Sequence, residues 1–155
     1  MVGVVVAAQG GLAVGLVDAA RRILGRQEQL EALDLVDTEA PEIFRRRMGE
    51  AVSRVDRGQG VIVLVDMYGS GPSQTAAGML RPGIFHGATD YAGLDFPGVE
   101  VVTGANLPML LELLINRRSS KGEPRANLGN LAGLALRSGR EGVANMLEAL
   151  RGEDV

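Results

Sequence analysis

VGVVVAAQGGLAVGL, residues 2–16, decides the fold class of this chain. Its first half, from Val4 to Ala8, is apolar without polar alternation, which is typical of a strand that is covered on both faces of a sheet. Two glycines follow, and then a stripe with helical spacing formed by Leu12, Leu16, Ala20, Ile23 and Leu24. The segment therefore predicts a buried strand that turns directly into a helix, with Gln9 at the C-terminal tip of the strand.

Strands alternate with helices along most of the remaining chain. Residues 30–36, 61–65 and 99–103 predict three further strands. A helix that opens near Thr38 and Pro41 separates the second strand from the third, and its buried stripe consists of Ile43, Phe44, Met48, Ala51, Val52 and Val55. This alternation predicts an α/β fold in three layers, with a mostly parallel central sheet and helices on both faces.

Polar residues follow three of these strands, at Gln9, Asp66 and Asn106. Because the carboxyl ends of parallel strands lie along one edge of a sheet, we expect these residues to converge on the crevice where open α/β sheets bind ligands. Gly10 and Gly11 allow a tight turn there, and the first N–H groups of the following helix would face the crevice. The sequence thus predicts a site at this edge.

Each of these residues also has a purely structural interpretation. Asp66 could cap the turn after its strand, although its position directly behind five apolar residues favours a function. Asn106 is a good N-cap for LPMLLELLI, so that a role in the site and a role in the helix both stay open. Ser70 and Ser73, in the glycine-rich loop before a helix that starts about Pro72, could bind a ligand or only shape the loop.

Composition excludes several classes of protein. With 155 residues, of which 46% are hydrophobic, the chain suits a single domain over 1–155. A formal net charge of −3 argues against nucleic-acid binding, and cysteine is absent, which excludes thiolate metal sites. No apolar run approaches the roughly 20 residues of a membrane span. We expect a cytoplasmic protein without metal, cofactor or direct membrane insertion.

Four segments, in the same order and at similar spacing, resemble one protein family. They are MVGVVVAAxGGLAxGLxDAAxxILG at the start of the chain, VIVLVDMYGSGPSQTA at 61–76, VEVVTGANLPMLLELL at 99–114 and SGREGV at 138–143. The chain is similar, over nearly its whole length, to the mannose-family enzyme IIA domain of the bacterial phosphoenolpyruvate-dependent sugar phosphotransferase system. The resemblance implies a homodimeric α/β domain whose C-terminal edge element can be exchanged between subunits.

The resemblance also implies phosphoryl transfer. In the family, a histidine at the first strand tip accepts phosphate from the carrier protein HPr and passes it to a IIB domain. The aspartate at the tip of the VLVD strand, here Asp66, orients that histidine. The residues that would bind the phosphate or a partner are Gly10, Gly11, Ser70, Ser73 and Asn106.

The chain departs from the family pattern at the acceptor position, where it has Gln9. A carboxamide nitrogen is non-basic, because its lone pair is delocalised into the carbonyl group, and it offers no nucleophile comparable with neutral imidazole. Glutamine can still donate an N–H bond to Asp66 and accept one from the helix start, which would preserve the shape of the site. Gln9 is explained either by a substitution introduced to block phosphorylation or by natural loss in a non-catalytic binding or regulatory paralogue.

Residues 81–97 form an insertion that is longer than the family's usual connection. It contains the single histidine of the chain, His86, together with Phe85, Tyr91 and Phe96. The insertion is either a loop packed on its own side chains or a lid or partner surface. His86 is not followed by a glycine pair that opens a helix, so we do not expect it to replace the acceptor.

The C-terminal part of the chain predicts one helix and one ambiguous segment. Asn127 is expected to cap a helix that ends at Gly139, with a stripe formed by Leu128, Leu131, Leu134 and Ala135. The last apolar residues, Val143, Met146, Leu147 and Leu150, have helical spacing. The resemblance instead suggests a strand that crosses to the other subunit and protects the edge of the sheet.

Overall fold

The computed structural model describes residues 1–80, 98–118 and 128–151. Its elements, in chain order, are β1 (Gly3–Gln9), α1 (Leu12–Leu24), β2 (Leu30–Leu35), α2 (Pro41–Val55), β3 (Val61–Val65), α3 (Gly71–Leu80), β4 (Val99–Thr103), α4 (Leu107–Asn116), α5 (Leu128–Glu141) and α6 (Met146–Arg151). The insertion at 81–97, with His86, and the predicted cap Asn127 lie outside the described residues.

The four strands form one sheet in the order β2-β1-β3-β4, and every neighbouring pair is parallel. In this register Ala8 of β1 lies opposite Asp34 of β2, and Ala7 lies opposite Val65 of β3. Because all four strands run in the same direction, their carboxyl ends meet at one edge of the sheet. The predicted convergence of the strand tips follows from this topology.

Helices cover both faces of the sheet, which confirms the predicted three-layer α/β fold. On one face, residues such as Val4, Val6 and Leu64 pack with α1, α4 and α5. On the other face, residues such as Val5 and Val63 pack with α2 and α3. Alternate residues of β1 therefore enter two different core layers, which explains its unbroken apolar sequence.

The predicted stripe of α1 is partly wrong. The helix buries Ala13, Val17 and Ala20, whereas Leu12 and Ile23 are exposed. Because apolar residues occur all around this helix, the spacing alone does not identify the buried face. The small side chains of Ala13 and Ala20 let the helix lie close to the sheet.

Two further predictions from helical spacing need correction. Ile43 of α2 is exposed, although the other residues of its predicted stripe are buried. Helix α5 continues past Gly139 to Glu141. Gly139 does not stop the helix but permits a close contact with α4, since a Cβ atom at this position would lie 2.6 Å from Cε of Met109.

The C-terminal segment is helical from Met146 to Arg151, as its spacing predicts. Its apolar side chains are exposed in the single chain, to 74% for Met146 and 77% for Leu150. Exchange of this segment between subunits stays a prediction. Of the helices that the structure describes, none combines the length and the apolar character that crossing a bilayer requires.

Candidate functional site

Gln9 and Asp66 meet at the carboxyl edge of the sheet. Gln9 is the last residue of β1, and Asp66 directly follows β3, the neighbouring strand. The main-chain N–H of Gln9 donates to Oδ2 of Asp66 at 3.0 Å, and the main-chain N–H of Asp66 donates to the carbonyl of Ala7 at 3.2 Å. The structure thus brings together the two residues that the sequence placed at the centre of the site.

The second carboxylate oxygen of Asp66 is also bonded. Oδ1 accepts the main-chain N–H of Met67 at 2.8 Å and the hydroxyl of Ser70 at 2.6 Å. Three hydrogen bonds therefore fix the orientation of this carboxylate. Each carboxylate oxygen has two acceptor positions, so Oδ2 can accept one more donor, such as the N–H of an imidazole ring.

Ser70 and Ser73 build the loop between β3 and α3. The Ser70 hydroxyl accepts the main-chain N–H of Ser73 at 3.2 Å, and the Ser73 hydroxyl accepts that of Gly69 at 3.3 Å. Both serines are buried. These contacts favour the loop-shaping interpretation. Ser70 bonds Asp66 directly, and Ser73 holds the loop that carries Ser70.

The side chain of Gln9 does not make the predicted hydrogen bonds. It is exposed, and among residues 1–80, 98–118 and 128–151 its carboxamide has no hydrogen-bond partner. The main chain makes the bond to Asp66 instead. The bond is therefore independent of the side chain at position 9, which the sequence alone could not show.

The N-terminus of α1 carries a carboxylate that sequence reasoning missed. Oδ1 of Asp34 accepts the N–H of Ala13 at 2.8 Å, and its Oδ2 lies 3.4 Å from the N–H of Val14. Two N–H groups that we expected to face the crevice are therefore already bonded. A signal was present in the sequence: Asp34 interrupts the alternation that Leu30 and Ala32 begin on the same face of β2.

The side chain of Asn106 makes hydrogen bonds that stabilise the fold. Its Oδ1 accepts the N–H of Met109 at 3.0 Å, which confirms the predicted N-cap of α4. Its Nδ2 donates to the carbonyls of Gly104 at 3.2 Å and Gly139 at 3.1 Å. Asn106 thus joins the start of α4 to the last turn of α5, and its polar atoms are occupied by protein groups.

The surface around Gln9 and Asp66 is apolar and acidic. Tyr68 is 87% exposed, and Met67 and Val36 are also exposed along the same edge. The segments 34–40 and 66–75 contain acidic residues, and neither these segments nor 9–16 and 103–108 contain Lys or Arg. Within the described part of the chain, no cluster of three or more His, Cys, Asp or Glu side chains could hold a metal ion. This edge suits contact with a protein better than the binding of a free anion.

Comparison with known proteins agrees with this geometry. Residues 3–127 match the family EIIA-man, described as the PTS system fructose IIA component. The chain is 29% identical over 142 residues to the PTS system mannose-specific EIIAB component of Escherichia coli K12, which covers 92% of this chain and 38% of that protein. It is 25% identical over 114 residues to the PTS system fructose-specific EIIA component of Bacillus subtilis, covering 74% of this chain and 69% of that protein.

Solved structures show the same fold. The PTS IIA protein associated with the fucose utilization operon of Streptococcus pneumoniae aligns with a TM-score of 0.71 at 25% identity, over 96% of this chain and 95% of that one. The mannose/sorbose specific IIA subunit from Enterococcus faecalis aligns with a TM-score of 0.71 at 17% identity, over 94% of each chain. The match over residues 3–127 includes all four strands of the described sheet and helices α1 to α4. This chain therefore belongs to the EIIA-man family of phosphotransferase-system IIA components.

Proposed function

We propose that the chain is a IIA subunit of a sugar phosphotransferase system whose acceptor position is occupied by Gln9, so that it does not accept a phosphoryl group as it stands. The hydrogen bond between the Gln9 main chain and Asp66 carries this proposal. It supports placing position 9 at the acceptor position of the family and Asp66 beside it as the orienting carboxylate. The site would then retain Asp66 and the turn after position 9 and lack only the histidine that accepts the phosphoryl group.

The chemistry of position 9 supports the inactivity. Phosphoryl transfer from a phosphohistidine requires an acceptor atom with an available lone pair, which attacks phosphorus as the bond to the donor nitrogen breaks. The lone pair of the Gln9 nitrogen is delocalised into the carbonyl group, and the carboxamide has no ring nitrogen that Asp66 could keep in the reactive tautomer. The donor would therefore keep its phosphoryl group.

The partners we propose are HPr and a IIB domain, docking on the surface that carries Tyr68, Met67 and Val36. An exposed aromatic side chain is a common anchor of protein interfaces. The exposed carboxylate of Asp37, at the same edge, favours a partner whose contact surface is basic. None of these features depends on the side chain at position 9.

We also propose that the chain forms a single cytoplasmic domain over 1–155 and associates as a homodimer. Four exposed apolar side chains support dimerisation, because a second subunit can bury them: Val143 before α6, and Met146, Leu147 and Leu150 on it.

A second candidate is a regulatory or binding paralogue that uses the same dimer and the same edge. The observation in its favour is that the apolar surface around Tyr68 stays exposed while position 9 has lost its nucleophile. The two candidates differ in what restoring a histidine would achieve. A IIA subunit blocked only at position 9 would regain phosphoryl transfer, whereas a paralogue adapted to binding would not.

The experiment that tests the inactivity is incubation of the protein with labelled phosphoenolpyruvate, enzyme I and HPr. We expect label on HPr and none on this chain. Acid-labile label on this chain would contradict the proposal. A His86→Ala variant, treated in parallel, would then show whether the insertion supplies the acceptor.

A further inference from the structure

Helix α1 begins without a cap of its own. Its N-cap residue, Gly11, has no side chain, and its first turn contains no acidic residue. The first N–H groups of any helix lack partners within the helix and need them from elsewhere. Gly10 and Gly11 also make the turn before the helix easy to deform, because glycine has the largest backbone freedom of all residues.

Asp34 supplies the missing cap from the neighbouring strand. Its carboxylate bonds the N–H groups of Ala13 and Val14, at 2.8 Å and 3.4 Å. A negative charge at this end of a helix is also favourable for the helix dipole. The first turn of α1 is thus tied to the carboxyl end of β2.

The strand end that carries Asp34 is itself held from the other side. Nη1 of Arg47 donates to the carbonyl oxygen of Asp34 at 3.3 Å and to both carboxylate oxygens of Glu39 at 2.7 Å. The Glu39 side chain is almost entirely buried. This clamp limits the movement of β2 at the position from which Asp34 reaches α1.

We propose that Asp34 is a positioning residue of this site, which holds the turn after position 9 in place. The chain from 9 to 14 is then fixed at both ends by carboxylates from the two strands that flank β1. Asp66 holds the N–H of Gln9, and Asp34 holds those of Ala13 and Val14. Gly10 to Leu12 lie between these bonds, and the N–H of Gly10 donates to the carbonyl of Leu35 at 3.1 Å. The consequence for phosphoryl transfer rests on the proposed function, whereas the holding role does not.

The first measurement is amide hydrogen exchange in the chain with Gln9, compared between Asp34→Ala and Asp34→Asn. We expect Asp34→Ala to raise exchange about fivefold or more at Ala13 and Val14, and also at Gly10, whose N–H donates to the carbonyl of Leu35 at 3.1 Å. Asparagine retains one acceptor oxygen and should keep the protection of Ala13. The matched control is Asp56→Ala, because the Asp56 carboxylate bonds the N–H groups of Gly58 and Gly60 at 2.8 Å and 3.2 Å near the opposite edge of the sheet. It should raise exchange at those glycines only.

The second measurement is transfer from phosphorylated HPr in the Gln9→His background. We expect Asp34→Ala to lower the maximal rate about tenfold without changing the HPr concentration for half-maximal rate, since a misplaced acceptor affects the reaction and not docking. Asp34→Asn should restore most of the rate, and Asp56→Ala should leave it unchanged.

Each result decides a separate claim. Unchanged exchange at Gly10 in Asp34→Ala would overturn the holding role, because a merely local cap affects only Ala13 and Val14. Raised exchange together with an undiminished rate would overturn the positioning role in transfer. If Gln9→His accepts no phosphate, the proposed function fails, and the exchange at Gly10 still decides whether Asp34 holds the turn.

Discussion

The main-chain N–H of Gln9 donates to the carboxylate of Asp66 at 3.0 Å, across the boundary between β1 and β3. The bond involves no side-chain atom of Gln9, so replacing that side chain leaves it in place. Asp66 in turn bonds Met67 and Ser70. This carboxylate therefore joins the ends of β1 and β3 to the loop that follows β3. These bonds fix the main chain from which the side chain at position 9 extends.

The Asp66→Ala variant removes all three of these hydrogen bonds. We expect a loss of about 1–3 kcal/mol in the free energy of unfolding, because the hydroxyl of the buried Ser70 and the N–H groups of Gln9 and Met67 lose their acceptor. Urea denaturation measures it. The control is Asp37→Ala, which replaces an exposed aspartate near the same edge that has no hydrogen-bond partner among the described residues. Equal stability of the two variants would show that the hydrogen bonds of Asp66 are unimportant for the fold.

Gly10→Ala tests the turn between β1 and α1. Gly10 has φ of 62°, a conformation that costs an L-residue about 1–2 kcal/mol, although a Cβ atom there would meet nothing within 4 Å. Gly15, inside α1, also has open space around it. We expect Gly10→Ala to destabilise the protein by about that amount and Gly15→Ala to stabilise it by up to about 1 kcal/mol. Thermal unfolding of both variants checks the opposite signs; a shift in the same direction would contradict this account of the turn.

Arg117 ties the end of α4 to the amino-terminal edge of the sheet. Its side chain is 1% exposed and donates to the carbonyls of Gln29 at 2.9 Å, Glu28 at 2.5 Å and Val2 at 3.4 Å. We expect Arg117→Met to cost about 2–4 kcal/mol, because these buried carbonyls lose their donor. Arg118→Met, at the exposed neighbouring position, should change stability by less than about 0.5 kcal/mol.

The cost of Arg117→Met should not depend on pH in the ordinary range. Burial, and secondarily the charge of Arg118, lowers the pKa of Arg117 from its ordinary value to about 10. The pKa of Arg117 is lower in the folded protein than in the unfolded chain, so the folded protein releases this proton first as the pH rises. The contribution of Arg117 to the free energy of unfolding therefore changes, and increases, only above about pH 10. Urea denaturation between about pH 6 and pH 9 should therefore give the same difference. A difference that changes steadily over this range would mean that another group titrates with Arg117.

The C-terminal helix α6 should determine the oligomeric state. We expect light scattering to give about twice the chain mass of 16.3 kDa, and Leu150→Asp to give the single chain mass. Ile23→Asp, which changes an exposed apolar residue on α1, is the control and should leave the dimer intact. A monodisperse monomer of the unaltered chain would remove both the dimer and the exchanged segment.

The layers, the parallel sheet and the meeting of Gln9 with Asp66 could be predicted from the sequence, because they follow from unbroken apolar strands with polar residues at their ends. The cap from Asp34 could not, since it joins residues about 20 positions apart whose contact depends on how α1 lies on the sheet. Helical spacing does not identify the buried face of α1 for a related reason. Ala13 and Leu12 both satisfy helical spacing, and only packing against the sheet selects between them.

The central claim is that the site lacks only its nucleophile. The most direct measurement is transfer of label from phosphorylated HPr to the Gln9→His protein, beside the Gln9 protein and a Gln9→His, Asp66→Ala double variant. We predict acid-labile label on Gln9→His, none on the Gln9 protein, and a strongly reduced rate in the double variant, since Asp66 would no longer orient the imidazole. A folded Gln9→His dimer that takes no label would contradict the claim, and so would transfer that is unaffected by the loss of Asp66.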